Sequence, residues 1–281
     1  MWWPLVTRRL PVHLTLAIVS AIWLIPVIGL AISSFRPAAE VSRSGWWNVA
    51  TSPSELTWSN YSNVLGRGGL WQSVANSVLV SVPATALSVT VAAIAAYGFS
   101  RIRFPFRRGL LLLFVALLII PQQITLVPLL SLYNDVGLTG TFAGLWLVHL
   151  GYSLPFAIYL LHRFFSGLPD ELFEAAALDG ASHLQTFVHI VLPVSRPALA
   201  SLAIFEFVWN WNDLLTALVF LGGNRQVAPL TVAVSNLVAS RGEGWQVLTA
   251  AALVSMIIPM VVFVAMQKQF IRGILAGSTK G

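Results

Sequence analysis

The sequence predicts an all-α, polytopic membrane protein with six transmembrane helices and a polar helix–turn–helix between the fourth and the fifth. Three observations predict it. Of 281 residues, 57% are hydrophobic and only 9% charged, against about 25% charged in an ordinary soluble domain. Too few charges remain to coat a water-facing surface, so lipid must solvate much of the chain. Six apolar runs then reach the roughly 20 helical residues that a hydrocarbon core requires. Between the fourth and fifth lies a stretch rich in helix formers, with a glycine at its centre. Strands are a poor reading, because the runs are continuous rather than alternating and an open sheet edge does not survive in lipid.

The six runs fall at 13–34, 71–99, 109–130, 142–163, 199–220 and 246–266. The first follows Arg8 and Arg9, as a signal peptide would. It is longer than a signal core of 7–15 residues and no small-x-small site follows it, so it reads as an uncleaved helix. Residues 35–70 form an outer segment punctuated by Pro37, Pro53 and several glycines, with Trp46, Trp47 and Trp58 suited to the interfacial belt. Pro26, Pro83, Pro121, Pro128, Pro155 and Pro259 fall within the runs and predict kinks. With both termini inside, Arg8, Arg9, Arg101, Arg103, Arg107, Arg108, Arg163, Arg196, Lys268, Arg272 and Lys280 are inner, and Arg36, Arg43, Arg67, Arg225 and Arg241 are outer. This asymmetry predicts cytoplasmic termini. The same clustering explains the net charge of +6 without nucleic acid, for which no basic stripe with interleaved aromatics exists. Cysteine is absent, which excludes disulfides and thiolate chemistry.

The hairpin is legible in detail. Pro169, Asp170 and Glu171 suit a helix start, where acidic groups meet the positive end of the dipole. The run Glu171 through Leu178 is strong helix-forming material. Gly180 fits the left-handed position that ends a helix, and Ser182 with Gln185 forms a capping box for a second arm that stops before Pro193. Small alanines beside a carboxylate permit close approach of another protein. Leu172, Phe173, Phe187 and Ile190 are expected to fill an apolar groove in that partner. From the residues alone, a hairpin lying on its own bundle stays equally open.

Glu174-Ala175-Ala176, Gly180 and Ile190-Val191-Leu192-Pro193 resemble the EAA loop by which ABC importer permeases dock onto their ATPase, here a coupling loop at 166–197. Tyr97-Gly98-Phe99-Ser100-Arg101, Trp211-Asn212-Asp213-Leu214-Leu215 and the tail Arg272-Gly273-Ile274-Leu275-Ala276-Gly277-Ser278-Thr279-Lys280-Gly281 are similar to elements of the maltose-type, MalG-like carbohydrate permeases. Asp213 through Gly223 looks closest to the α-glucoside branch. The resemblance covers nearly the whole chain. It implies a type I ABC importer permease fold in a single transmembrane domain over 1–281, in the bacterial inner membrane. It implies a MalF-like second permease, a MalK-like ATPase homodimer that binds the ATP and Mg, and an extracytoplasmic sugar-binding protein. Glu174, Ala175, Ala176, Gly180, Ile190, Leu192 and Pro193 would couple to the ATPase. Gly277, Ser278, Thr279, Lys280 and Gly281, at the end of a tail over 267–281, would enter the ATPase interface.

The chain itself lacks a phosphate-binding G-x-x-x-x-G-K-[ST] loop, so it reads as a non-catalytic subunit without a cofactor of its own. His149, His162, His183 and His189 follow no metal-ligand spacing and read as packed or interfacial. Glu206 and Asp213 are carboxylates inside the fifth run, seven residues apart and hence on one helical face. With Trp209 and Asn210 they form a candidate substrate pathway. Asp213 also suits a structural hydrogen bond, and Glu206, which departs from the family pattern, suits a helix–helix bond. Two other readings stay open: an ABC permease for peptides or phosphate, and a proton-coupled carrier working through the two carboxylates. The second leaves the hairpin without a role.

Overall fold

Helices occupy every apolar run, with breaks at 118–121 and 213–214. The computed structural model describes all but residues 1, 2, 52, 54, 55, 68, 241–243 and 279–281. In chain order its helices are α1 (Trp3–Ser34), α2 (Ala38–Arg43), α3 (Ser59–Ser62), α4 (Leu70–Arg101), α5 (Arg107–Leu117), α6 (Gln122–Asp135), α7 (Phe142–Ser166), α8 (Glu171–Leu178), α9 (His183–Thr186), α10 (Leu192–Val194), α11 (Arg196–Asn212), α12 (Leu215–Leu221), α13 (Leu230–Ser240) and α14 (Trp245–Ser278). Among the described residues four are long and apolar enough to cross a membrane, and up to six spans result if each of two bent pairs counts as one.

Three boundaries differ from the sequence expectation. The run at 109–130 is two helices, α5 and α6, bent by 103°. Pro121 caps α6 in extended backbone, and a residue before proline is pushed out of the helical region, so the ladder breaks at Ile120. The run at 199–220 ends as a helix at Asn212, where Asp213 turns extended (ψ 121°) and α12 starts afresh. The last run does not stop at 266. α14 continues to Ser278, through Gln267, Lys268, Gln269 and Arg272, which end the apolar run but are good helix formers.

The chain divides into two compact units. In the first, Met1–Trp71 with Val234–Met256, a polar knot follows α1. Buried Arg36 donates to the carbonyls of Glu40 and Ser44, both at 3.0 Å, and Asn60 donates to the carbonyls of Ser34 and Arg36 at 2.8 Å. These bonds supply partners to helix-end and loop carbonyls. Phe35, Trp58 and Tyr61 stack beside it.

The second unit, Gln72–Ala233 with Ile257–Gly281, holds two apolar cores. One joins Ala92, Ala93 and Ala96 of α4 to Ile158, Leu161 and Phe165 of α7, Phe187 and Val191 of the hairpin, and Ala198 and Leu202 of α11. The small α4 side chains let the neighbouring backbones approach closely, as membrane helix packing favours. The other joins Val80 of α4, Leu126 and Tyr133 of α6, Leu145 and Val148 of α7, and Phe220 and Leu221 of α12.

Candidate functional site

The hairpin is built on two local devices. α8 closes with the amide of Ala181 donating to the carbonyl of Ala176 (2.9 Å) and that of Gly180 to Ala177 (3.1 Å). This nested pair is the Schellman ending, and it requires the left-handed Gly180, whose φ is +73°. One residue on, Ser182 and Gln185 make the reciprocal capping box: the Ser182 amide donates to Gln185 Oε1 (2.8 Å) and the Gln185 amide to Ser182 Oγ (3.3 Å). The turn is therefore set by bonds within ten residues of chain, Ala176 to Gln185.

The second arm does not stop before Pro193. It runs α9, a π turn over Phe187–Val191, and α10, which holds Pro193 and ends at Ser195. The wide π turn absorbs the amide that proline lacks and relieves its ring from the preceding carbonyl. The arm then meets α11 at 76°.

Two of the four apolar knobs expected to face a partner, Phe173 and Phe187, point the other way, while Leu172 and Ile190 are half-buried. Phe187 and Val191 lie in the core, and Phe173 packs against it. Phe187 stacks on Tyr97 of α4, whose hydroxyl lies 3.3 Å from His183 Nδ1. What the hairpin presents outward is Leu178 (89% exposed) and Leu184 (71% exposed), either side of the glycine turn, with Glu174 and Ala175 on the same exposed surface. Ala176 is buried, and Ile190 and Leu192 are half-buried.

Arg101, at the end of α4, ties the hairpin down. Its guanidinium donates to the carbonyls of Phe165 (2.8 Å) and Leu168 (2.7 Å) where α7 ends. It pairs with Asp170 (2.5 Å) and lies 3.7 Å over the ring of Phe173. A planar fork with donors on two edges is needed to meet all of these at once.

The second candidate region is a cavity of about 1060 Å³ between α5, α6, α7 and α11. Phe156, Phe205 and Trp209 form a continuous aromatic wall, with ring centroids 4.9 Å and 5.9 Å apart. Gln122, Gln123, Tyr152, Glu206 and His149 supply polar groups to the lining. A smaller hollow of about 540 Å³ shares Gln122, Gln123, Phe205, Trp209 and Thr216 and reaches Asp213.

The four sequence candidates thus separate. Trp209 is half exposed and Glu206 almost fully buried, and both line the cavity. Asn210 turns instead to α4, donating to Thr85 Oγ1 at 3.3 Å. Asp213 leaves the helix, so it does not share a helical face with Glu206. Its carboxylate accepts from the amides of Thr216 (3.3 Å) and Ala217 (3.1 Å), which are orphan donors at the start of α12. Its carbonyl accepts from Thr231 Oγ1 at 2.8 Å.

Residues 88–275, from the middle of α4 to the end of α14, match the family described as binding-protein-dependent transport system inner membrane component. The chain belongs to that family. The permease is 49% identical over 276 residues to the osmoprotective compounds uptake permease protein GgtD of Synechocystis sp., covering 97% of this chain and 93% of that protein. It is 48% identical over 238 residues to the alpha-glucoside transport system permease protein AglG of Rhizobium meliloti, covering 83% of this chain and 63% of that longer protein. Among solved structures, a chain of a bacterial ABC transporter involved in the import of the acidic polysaccharide alginate shares the fold, with a TM-score of 0.77. It is 23% identical and the match covers 93% of this chain and 95% of that one.

Three features of the permease escaped the sequence reading. Phe156 and Phe205 look like any lipid-facing phenylalanines until α7 and α11 are set side by side. His149 reads as a packed histidine; it is buried, and it also belongs to the cavity lining, with Nε2 3.8 Å from Asp213. Leu178 and Leu184 flank a recognisable turn, which was the available signal. Of the tail candidates, Gly277 and Ser278 lie in α14, and Thr279, Lys280 and Gly281 lie outside the described residues.

Proposed function

We propose that this permease forms half of the translocation pathway of an ATP-driven, binding-protein-dependent importer of a sugar, an oligosaccharide or α-glucoside disaccharide. It works beside a second permease subunit in the bacterial inner membrane, with both termini in the cytoplasm. The hairpin carries the coupling. Leu178 and Leu184 stand out as paired apolar knobs on a turn fixed by a Schellman ending and a capping box, the form that helix-in-groove recognition requires. The partner is an ATPase homodimer, which binds the ATP and Mg and hydrolyses the nucleotide. Glu174, Ala175, Ala176 and Gly180 form the contact surface; Ile190, Leu192 and Pro193 shape the arm that leads into α11. Gly277 to Gly281 reach into the ATPase interface, where small residues permit close backbone approach. An extracytoplasmic sugar-binding protein delivers the substrate. The sugar class is supported by the alpha-glucoside permease at 48% identity and by an aromatic-walled cavity suited to the apolar faces of sugar rings.

The test is reconstitution in proteoliposomes with the second permease, the ATPase and the binding protein. ATP-dependent uptake of labelled maltose, sucrose or trehalose is expected, with little dependence on the proton gradient. Uptake by this chain alone under a pH gradient would overturn the importer reading. Uptake of peptide or phosphate but no sugar would overturn the sugar reading.

A further inference from the structure

The cavity lining has a one-sided chemistry. Among the described residues that line it there is neither lysine nor arginine, and Glu206 is the only carboxyl group. Glu206 is 2% exposed and is hydrogen-bonded by Ser153, whose hydroxyl oxygen also lies 2.8 Å from that of Ser88. The carboxyl lines the cavity together with the rings of Phe156, Phe205 and Trp209. Gln122 and Gln123 of α6 add amides to the lining. The volume, about 1060 Å³, lies at the upper end of the roughly 300–1,000 Å³ of ordinary small-molecule sites, enough for more than one ring.

Resting on the sugar-import reading above, we propose that this cavity is a stacking subsite for uncharged glycosides that excludes acidic sugars. The aromatic wall takes the C–H faces of the rings, Gln122, Gln123 and Glu206 take hydroxyls, and the missing cation sets the charge limit. A uronate carboxylate entering here would lose its hydration with no positive partner, and an unpaired charge in such surroundings is expensive. A neutral hydroxyl loses less and finds amide and carboxyl partners. Phe205 and Trp209 are selective elements here because a planar ring can stack on a pyranose face, whereas an aliphatic side chain cannot orient it.

The experiment uses the purified four-component complex. Saturation-transfer NMR is run with maltose and with digalacturonate, and uptake and binding-protein-stimulated ATP hydrolysis are measured in proteoliposomes. Maltose should receive saturation and digalacturonate should not. Trp209→Ala, at a position already half exposed, should lower maltose uptake about tenfold, the loss of one stacking contact, while stimulated ATP hydrolysis is retained. Trp209→Phe should restore uptake. Glu206→Arg should admit digalacturonate. Equal saturation of both sugars by the wild type, or full uptake in both Trp209→Ala and Phe205→Ala, would overturn the proposal and leave the sugar reading standing. A wild-type complex that imports no sugar at all would refute that reading and this one with it.

Discussion

Arg101→Lys should loosen the hairpin without unfolding the bundle. The arginine makes two charge-assisted bonds to the carbonyls of Phe165 and Leu168, pairs with Asp170 and lies over Phe173. Asp170 is 81% exposed on its side chain, so that ion pair contributes only about 0–1 kcal/mol. The carbonyl bonds dominate, at roughly 1.5–3 kcal/mol each, with about 0.5–1 kcal/mol from the ring. Lysine brings a point charge that can keep one of these contacts but not the fork. The net loss is about 3 kcal/mol, or roughly a hundredfold in the equilibrium for local opening. Hydrogen exchange on the purified complex reads this directly. Amides over 168–180 should exchange about a hundredfold faster, with the α4 and α7 core peptides unchanged. Sugar imported per ATP hydrolysed should fall in parallel. Asp170→Asn should do almost nothing, because its pair is solvated. Wild-type exchange in Arg101→Lys, or an effect of Asp170→Asn as large, would refute the reasoning.

Gly180→Val should abolish co-purification of the ATPase. Its φ of +73° costs about 1–2 kcal/mol for a residue with a Cβ, although no atom stands in the way, so Gly180→Asn should be tolerated far better. Leu178→Asp with Leu184→Asp should also prevent co-purification while thermal unfolding in detergent stays at the wild-type midpoint, since both side chains are exposed; a lowered midpoint would show that they pack within the fold. Asp213→Ala strips the acceptor from two amides of α12 and should destabilise by about 1–2 kcal/mol, seen as an earlier unfolding transition; an unchanged transition would remove its capping role.

How far the sequence could be read depended on the range of the forces involved. The hairpin turn is written in short-range terms: Gly180 for a positive φ, Ser182 and Gln185 for a reciprocal cap, all within six residues. These are the features that a linear chain displays. The end of the fifth span was hidden, because the apolar run continues through Leu214–Leu221 and hydropathy does not register a carboxylate whose bonds go to amides ahead of it. The facing of Phe173 and Phe187 was hidden for another reason. Each is apolar on a short amphipathic arm, and only the alanine-rich surface of α4 decides which side of that arm finds a core.

That same core links the two candidate regions. Phe187 and Val191 of the hairpin pack in one cluster with Ala198 and Leu202 of α11. α11 is a single helix of 17 residues, and its far half carries Glu206 and Trp209 into the cavity wall. Interiors packed to crystal-like density do not yield piecemeal. A force on Leu178 and Leu184 that tilts the second arm must therefore either tear Phe187 out of its pocket against Tyr97 or carry α11 with it. The first course exposes a buried aromatic at a cost of about 3–5 kcal/mol, the range found when such a side chain is lost from a core; the second leaves the packing whole. α11 moving as a rod is the lower-energy course, and it would carry Phe205 and Trp209, two of the three rings of the cavity's aromatic wall, with the hairpin.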